Sequence, residues 1–253
     1  MARPKVVLLM SASLDGRTAL APGRSQWEEL DDPRSAATEG AGEAWDEVQK
    51  QVIRVHDPQV MMLGSASIQR ESDPLVELDT VTDEAAELYE DFLPSDVIRD
   101  SDVRVWLVTP DSKGRLRSGY KGTETPGHHS LHLVSRGTPP EYLSFLRDHG
   151  IPYLIAGDDR VDLALALEKL STQLSVQTVL VIGGGRLNGA LLRADLLDEI
   201  NLIVRPEIIG GTSTPTLFDC PNLAEDEWPV TLERISVEPI LDRFLWLRYR
   251  VRR

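Results

Sequence analysis

The 253-residue chain carries a single cysteine, Cys220, and that scarcity removes two classes of structure at once. One thiol can form neither an intramolecular disulfide nor a cysteine-type zinc site. No apolar run approaches the roughly 18 residues of a membrane span. Met1-Ala2-Arg3-Pro4-Lys5 leads into a short apolar segment without the hydrophobic core of a signal peptide. The expectation is a cytoplasmic protein. Basic residues are also scarce: 27 Lys and Arg face 41 Asp and Glu, a net charge of −14. A field of that sign repels nucleic acid and anionic membranes, so neither is expected as a partner. An anionic ligand must be held by a local group of arginines and helix N-termini. Internal repeats and low-complexity tracts are absent.

What is present is a globular composition, 41% apolar and 27% charged. The length suits one large domain over residues 1–253, with a helical insertion near 79–100. Val6 to Met10 reads as a buried strand and Ser11 to Arg24 as a loop. A helix is expected from about Arg34 to Arg54, a strand from Gln59 to Leu63, and a helical patch from Asp83 to Phe92. Strands follow at Val103–Val108, Leu131–Val134 and Pro152–Ile155, with helices at Pro139–His149 and Val161–Leu174. Thr109 to His129 reads as a long polar loop. Strands at Glu199–Val204 and Phe244–Val251 close the chain. Alternating strands and helices argue α/β with a mostly parallel twisted sheet flanked by helices. The last two strands, joined without a helix, imply an antiparallel C-terminal hairpin.

Three places suit an anion. The strand Val179–Ile182 runs into Gly183-Gly184-Gly185, and an amphipathic helix with Arg186 and Leu187 follows. Such a turn exposes backbone amides at a helix N-terminus. Glycine is also the default residue of any tight turn. The dinucleotide fingerprint G-x-G-x-x-G is not met, because Asn188 stands where its last glycine belongs. Gly64 and Ser67 form a second strand-to-helix turn, where an ordinary serine cap is the plainer alternative. Ser135 and Arg136 follow a strand and offer a hydroxyl and a planar guanidinium fork. All three places are expected at the carboxyl ends of strands, where open α/β sheets bind ligands.

Seven motifs in order carry a resemblance: Ser11-Ala12-Ser13-Leu14-Asp15-Gly16-Arg17, Ser25-Gln26-Trp27, Gly64 with Ser67, Asp73-Pro74-Leu75, Gly183-Gly184-Gly185 with Asn188-Gly189, Asp198-Glu199-Ile200, and Pro206 with Gly210-Gly211 and Leu217-Phe218. Together they resemble the riboflavin-biosynthesis reductase family, the RibD C-terminal domain, over about Pro4 to Tyr249. The resemblance implies a dihydrofolate-reductase-like fold, NADPH as cofactor, a homodimer, and reduction of a small heterocyclic or sugar-derived C=N or C=O substrate. By that analogy Gly64, Ser67 and the turn at Gly183, Gly184, Gly185, Arg186 and Leu187 bind the cofactor. Ser135 and Arg136 take its adenosine 2′-phosphate, and Ser11 and Trp27 line the nicotinamide. Ser25 and Ile182 face substrate. By the same analogy Asp15 orients the site loop; it is also the candidate proton donor, with a bound water as the alternative source, or else a structural aspartate–glycine turn.

The departures from the pattern are on the substrate side. Ile182 stands where the family has glutamate, and Val76-Glu77-Leu78-Asp79 where it has a phosphate-gripping arginine. Ser72 replaces an acidic residue. These changes imply a less phosphorylated substrate than the family's 5-amino-6-(5-phosphoribosylamino)uracil. The alternatives are a catalytically silent NADPH-binding or sensor protein and a true 5-amino-6-(5-phosphoribosylamino)uracil reductase of riboflavin biosynthesis with a divergent phosphate grip. His128, His129 and His132 lack the carboxylate or cysteine company of a metal site, so no metal is expected.

Overall fold

The computed structural model describes residues 3–25, 39–69, 74–75, 77–81, 86–99, 104–117 and 127–252. Along the chain run β1 (Lys5–Ser13), β2 (Ala19–Ala21), β3 (Arg24–Ser25), α1 (Ala41–His56), β4 (Val60–Met62), α2 (Ser65–Ile68), α3 (Ser95–Ile98), β5 (Val105–Pro110), β6 (His128–Val134), α4 (Pro140–Asp148), β7 (Tyr153–Ile155), α5 (Leu163–Leu174), β8 (Thr178–Val181), α6 (Gly185–Arg193), β9 (Glu199–Arg205), β10 (Leu232–Ile240) and β11 (Phe244–Val251). They form two compact units interleaved in sequence. Residues 1–4 and 58–179 make the first, and residues 5–57 and 180–253 the second.

The first unit contains four parallel strands in the order β4-β5-β6-β7. β6 and β7 are buried on nearly every residue, while β4 and β5 alternate buried and half-buried positions. Tyr142, Leu143 and Leu146 of α4 pack with Val134, Tyr153 and Ile155 into one cluster. α5 starts at Asp162, whose carboxylate accepts from the amides of Ala164 and Leu165. Such a cap contributes about 1 kcal/mol. The expected helix over 83–92 is a short 3₁₀ turn, Ala86–Tyr89, with residues 82–85 outside the described part.

In the second unit β1 and β9 pair in parallel, from Val7 opposite Glu199 to Ser13 opposite Arg205. β11 lies antiparallel beside β9, and β10 antiparallel beside β11. The mixed, mostly parallel sheet with an antiparallel C-terminal hairpin is therefore present. β1 runs three residues past the expected Met10, because Ser11 to Ser13 still pair with Ile203 to Arg205. α1 covers this sheet with Ala44, Val48 and Val52. Its expected start at Arg34 lies outside the described residues.

β10 was not legible as a strand. Of its nine residues only Ile240 is buried, and a bulge between Arg234 and Ser236 interrupts its alternation. The bulge and Pro239 also blunt an exposed edge against pairing with another chain.

One buried carboxylate joins three elements of the second unit. Glu199 accepts from Lys5 Nζ at 3.0 Å and from Arg248 Nη2 at 3.1 Å, and lies 3.1 Å from His56 Nε2. Burial alone would raise its pKa. Hydrogen bonds from His56 and Lys5, the attraction of His56 and the bond from Arg248 outweigh burial and hold it well below the ordinary carboxylate range. A depressed folded-state pKa stabilises above the unfolded value, about 4.3, and that contribution is lost as pH falls toward the folded pKa. Glu199→Gln is expected to lower the unfolding free energy in urea by about 1.5–3 kcal/mol at neutral pH. The gap between variant and wild type should shrink below about pH 4; a pH-independent gap would contradict the charge as its source.

Candidate active site

Two turns follow the C-terminal ends of β1 and β9. The first spans Ser13 to Arg17 and closes with Ser13 N–H on Arg17 O and Gly16 N–H on Ser13 O, both 2.9 Å, with Gly16 at φ 78°. The second begins at Pro206. Asp15 locks them together. Its Oδ1 accepts from the Ser13 hydroxyl at 2.6 Å and the Ile209 amide at 3.1 Å, and its Oδ2 from the Gly210 amide at 2.7 Å. Leu14 N–H adds a 2.9 Å bond to Glu207 O.

The Ser13 hydroxyl and then the Ile209 amide lower the Asp15 pKa to about 2, with the Gly210 amide adding to them. Asp15 is thus ionised at neutral pH and has no proton to donate. In this geometry Asp15 acts as a clamp, the arrangement that the alternative of a structural aspartate–glycine turn describes. Ser13, buried and unmarked in the sequence reading, is its principal partner.

At the end of β8 the glycines divide in role. Gly183 adopts φ 119°, and a Cβ there would lie 2.7 Å from Met10 Sδ. Gly185 opens α6 under the 216–219 segment, where a Cβ would meet Thr216 O and lie 2.5 Å from Asp219 Oδ2. Asp219 N–H donates to Gly185 O at 3.0 Å, and Asp219 Oδ1 accepts from the Thr216 amide and hydroxyl. Asn188, fully buried on α6, donates to Leu217 O at 2.9 Å. The third glycine is therefore required by packing. Ile182 is half-buried, Leu187 buried and Arg186 exposed. Ser11 is half-buried near the end of β1. Ser25 closes β3 opposite Ala19. Trp27, Ser72 and Asp73 lie outside the described residues.

In the first unit Gly64 precedes the short α2, with Ser67 exposed and its amide on Gly64 O at 2.9 Å. The first amides of a helix have no intrahelical acceptor, so those of Ser65 and Ala66 suit an external oxygen. Beyond β6 the Ser135–Thr138 turn is bonded inward. Ser135 N–H donates to Thr138 Oγ1 at 3.0 Å, Arg136 N–H to Gly157 O at 3.0 Å, and Gly137 N–H to Asp158 O at 2.6 Å. The Ser135 hydroxyl is buried 3.5 Å from that of Thr138. The Arg136 guanidinium is 64% exposed, facing Asp158 at 4.0 Å, so the side chain of Arg136 is the group this turn presents to a ligand. Among the described residues no cluster of His, Cys, Asp or Glu suits a metal ion.

Both units thus place polar turns and glycines at the carboxyl ends of parallel strands, the pattern of an α/β protein that binds a ligand there. The fold itself is shared with a pyrimidine reductase-like protein from Corynebacterium diphtheriae, with a TM-score of 0.62 at 14% identity, covering 99% of this chain and 92% of that one. It is shared equally with RibD of Acinetobacter baumannii, with a TM-score of 0.60 at 22% identity, covering 99% and 59%. The RibD C-terminal domain profile matches residues 4–245, and the chain belongs to that family.

Among named relatives, it is 29% identical over 237 residues to the 2,5-diamino-6-ribosylamino-4(3H)-pyrimidinone 5′-phosphate reductase of Methanothermobacter thermautotrophicus, covering 91% of each. It is 24% identical over 208 residues to the riboflavin biosynthesis protein RibD of Escherichia coli, covering 82% of this chain and 50% of that one. The chain spans about half the length of such RibD proteins and nearly all of the archaeal reductase.

Two substitutions probe this geometry. Asp15→Asn is expected to loosen the Ile209–Gly210 segment and reduce kcat/KM by about tenfold or more through misplacement, with the shape of the pH–rate profile unchanged. Loss of one limb of that profile would restore Asp15 as the proton donor. Gly185→Ala is expected to cost about 1–3 kcal/mol by overpacking against Thr216 and Asp219. A variant as stable as wild type in thermal unfolding would contradict the contact.

Proposed function

We propose that the chain is an NADPH-dependent reductase of the riboflavin-biosynthesis type, a homodimeric cytoplasmic enzyme acting on a ribosylaminopyrimidine or a close analogue. The observation that carries this reading is the match along 91% of both chains to a relative named as a stand-alone reductase. The donor chemistry agrees with an anionic cofactor. Arg136 is exposed in a chain of net charge −14, and Gly64 precedes a short helix whose first amides point out of its N-terminus.

In this proposal Gly64, Ser67 and Arg136 hold cofactor phosphates in the first unit, with Ser135 shaping the turn. For the second unit the family resemblance assigns Gly183, Gly184, Arg186 and Leu187 to the cofactor and Ser11 and Trp27 to the nicotinamide, while Gly185 fixes the bend. When bound, the cofactor supplies a hydride to an electrophilic carbon. Asp15 orients the loops around that carbon, and a water is the proton source, since Asp15 is ionised. Ser25 and Ile182 face substrate. Ile182 offers no hydrogen bond, and Glu77 and Asp79 oppose a phosphate, so the proposed substrate is one with fewer anionic groups than the pyrimidinone phosphate.

The test is NADPH oxidation by the purified chain with the pyrimidinone 5′-phosphate and with unphosphorylated ribosylaminopyrimidines. Turnover is expected, faster on the latter. Preference for the phosphate would refute the substrate assignment. Tight NADPH binding without any turnover would favour a sensor, and absence of NADPH binding would end the proposal.

A further inference from the structure

The hairpin of β10 and β11 sorts its side chains by polarity. Residues paired across strands share a face. On the face that carries Glu199, which α1 meets through His56, Glu233 pairs with Arg250, Ser236 with Arg248 and Glu238 with Trp246. The ions there find partners, Arg248 on Glu199, and Arg250 and Arg252 on Glu233. On the opposite face Val237 pairs with Leu247 and Pro239 with Leu245. Leu247 and Leu245 pair in turn with Leu202 and Val204 of β9. Arg234, opposite Tyr249, is the only charged residue that β9, β10 and β11 place on this face. A ribbon wetted on both faces gains nothing from such sorting, whereas an antiparallel sheet with one covered face displays it.

The apolar face is nevertheless open. Leu232, Val237 and Leu245 are between 43% and 46% exposed. Past Ile200 and Leu232 the face continues into an apolar groove of about 260 Å³, walled by Leu192, Phe218, Leu223 and Val230. Trp228, one residue before Pro229 of the groove wall, is 84% exposed. With the exposed parts of Leu223, Val230 and Ile235, on the order of 600 Å² of apolar surface faces water, the upper end for the largest patch of a monomer. A standard interface takes roughly 800 Å² from each partner.

The features of this surface favour a second copy of the chain as its occupant. A two-fold contact needs one patch that carries both a projection and a recess, and Trp228 stands beside the groove. Charge agrees: Glu225, Asp226 and Glu227 lead into Trp228, and Arg193 belongs to the groove wall, so a seated tryptophan brings carboxylates toward a cation. Elsewhere a net charge of −14 makes copies repel. The bulge and Pro239 blunt the β10 edge, so contact runs through the face and not through strand pairing. We propose, on the homodimer reading above, that two copies meet on this face of β9, β11 and β10 about a two-fold axis, with Trp228 of each seated in the groove of the other.

The test is sedimentation of wild type, Trp228→Ala, Val237→Glu and Val55→Glu, with the fold of each checked by circular dichroism. Trp228→Ala is expected to raise the dimer dissociation constant by about tenfold or more, the effect of truncating an aromatic anchor. Val237→Glu sets a charge in the dry contact and should raise it by about a hundredfold. Val55, 56% exposed on α1, lies off this face, and Val55→Glu should leave it within about twofold. In wild type, amide exchange over residues 228–239 and 244–249 should slow only at concentrations where the dimer forms.

Unchanged dimer affinity in Trp228→Ala and Val237→Glu would overturn the assignment of this face and leave the homodimer reading standing. Wild type that stays monomeric at about 100 µM would instead end that reading. Equal protection of these strands in the monomer would place a segment of the same chain on the face and overturn the proposal. The exchange measurement on wild type decides between these outcomes even if a variant fails to fold.

Discussion

An ionised carboxylate on the turn after β1 is the constraint on which the second unit's functional end depends. Asp15 gathers the hydroxyl of Ser13, two residues before it, and the amides of Ile209 and Gly210, 194 and 195 residues after it. A neutral group would satisfy fewer of them. The charge is stabilised by hydrogen bonds rather than by burial, so its pKa falls while the group stays near solvent. The same chemistry that keeps the turns in place removes Asp15 from proton transfer.

The first unit solves a similar problem differently. Its loops follow successive parallel strands and carry like charges that repel one another. Hydrogen bonds hold them: the buried Thr138 hydroxyl, the half-buried Ser112, the Tyr142–His132 pair and the Asp111 carboxylate that accepts from the Leu116 amide. Burial suits this arrangement because every hydrogen has a defined acceptor, and a satisfied buried network is rigid. The Glu199 network in the second unit shows the contrasting case, in which a buried anion is paired with Lys5, His56 and Arg248 and stabilises the packing of α1, β1, β9 and β11.

Much of the fold was legible because buried parallel strands write themselves as continuous apolar runs. Val6 to Met10, Leu131 to Val134 and Val179 to Val181 needed no further context. β10 was illegible because an exposed edge strand has no buried face to impose a period, and its bulge breaks what alternation remains. The site was legible as motifs and only partly as roles. Asp15-Gly16 announced a functional turn, but whether its carboxylate donates a proton or accepts three hydrogen bonds depends on Ile209 and Gly210, which no local pattern links to it. Gly185 reads locally as part of an anion cradle, and its contact with Thr216 and Asp219 adds a packing requirement that no local pattern shows.

By itself the sequence determined the class of fold, the acidic background and the positions of the glycine and serine turns, because these follow from composition, periodicity and local backbone preference; the family was legible only as a resemblance carried by seven motifs in order. Only the tertiary structure decided the protonation state of Asp15, the burial of the Ser135 hydroxyl and the union of the 111–117 loop with the Arg136 turn. Those properties arise from contacts between residues distant along the chain. Hydrogen-bond satisfaction and desolvation are set by who the neighbours are, which a linear order of residues does not specify.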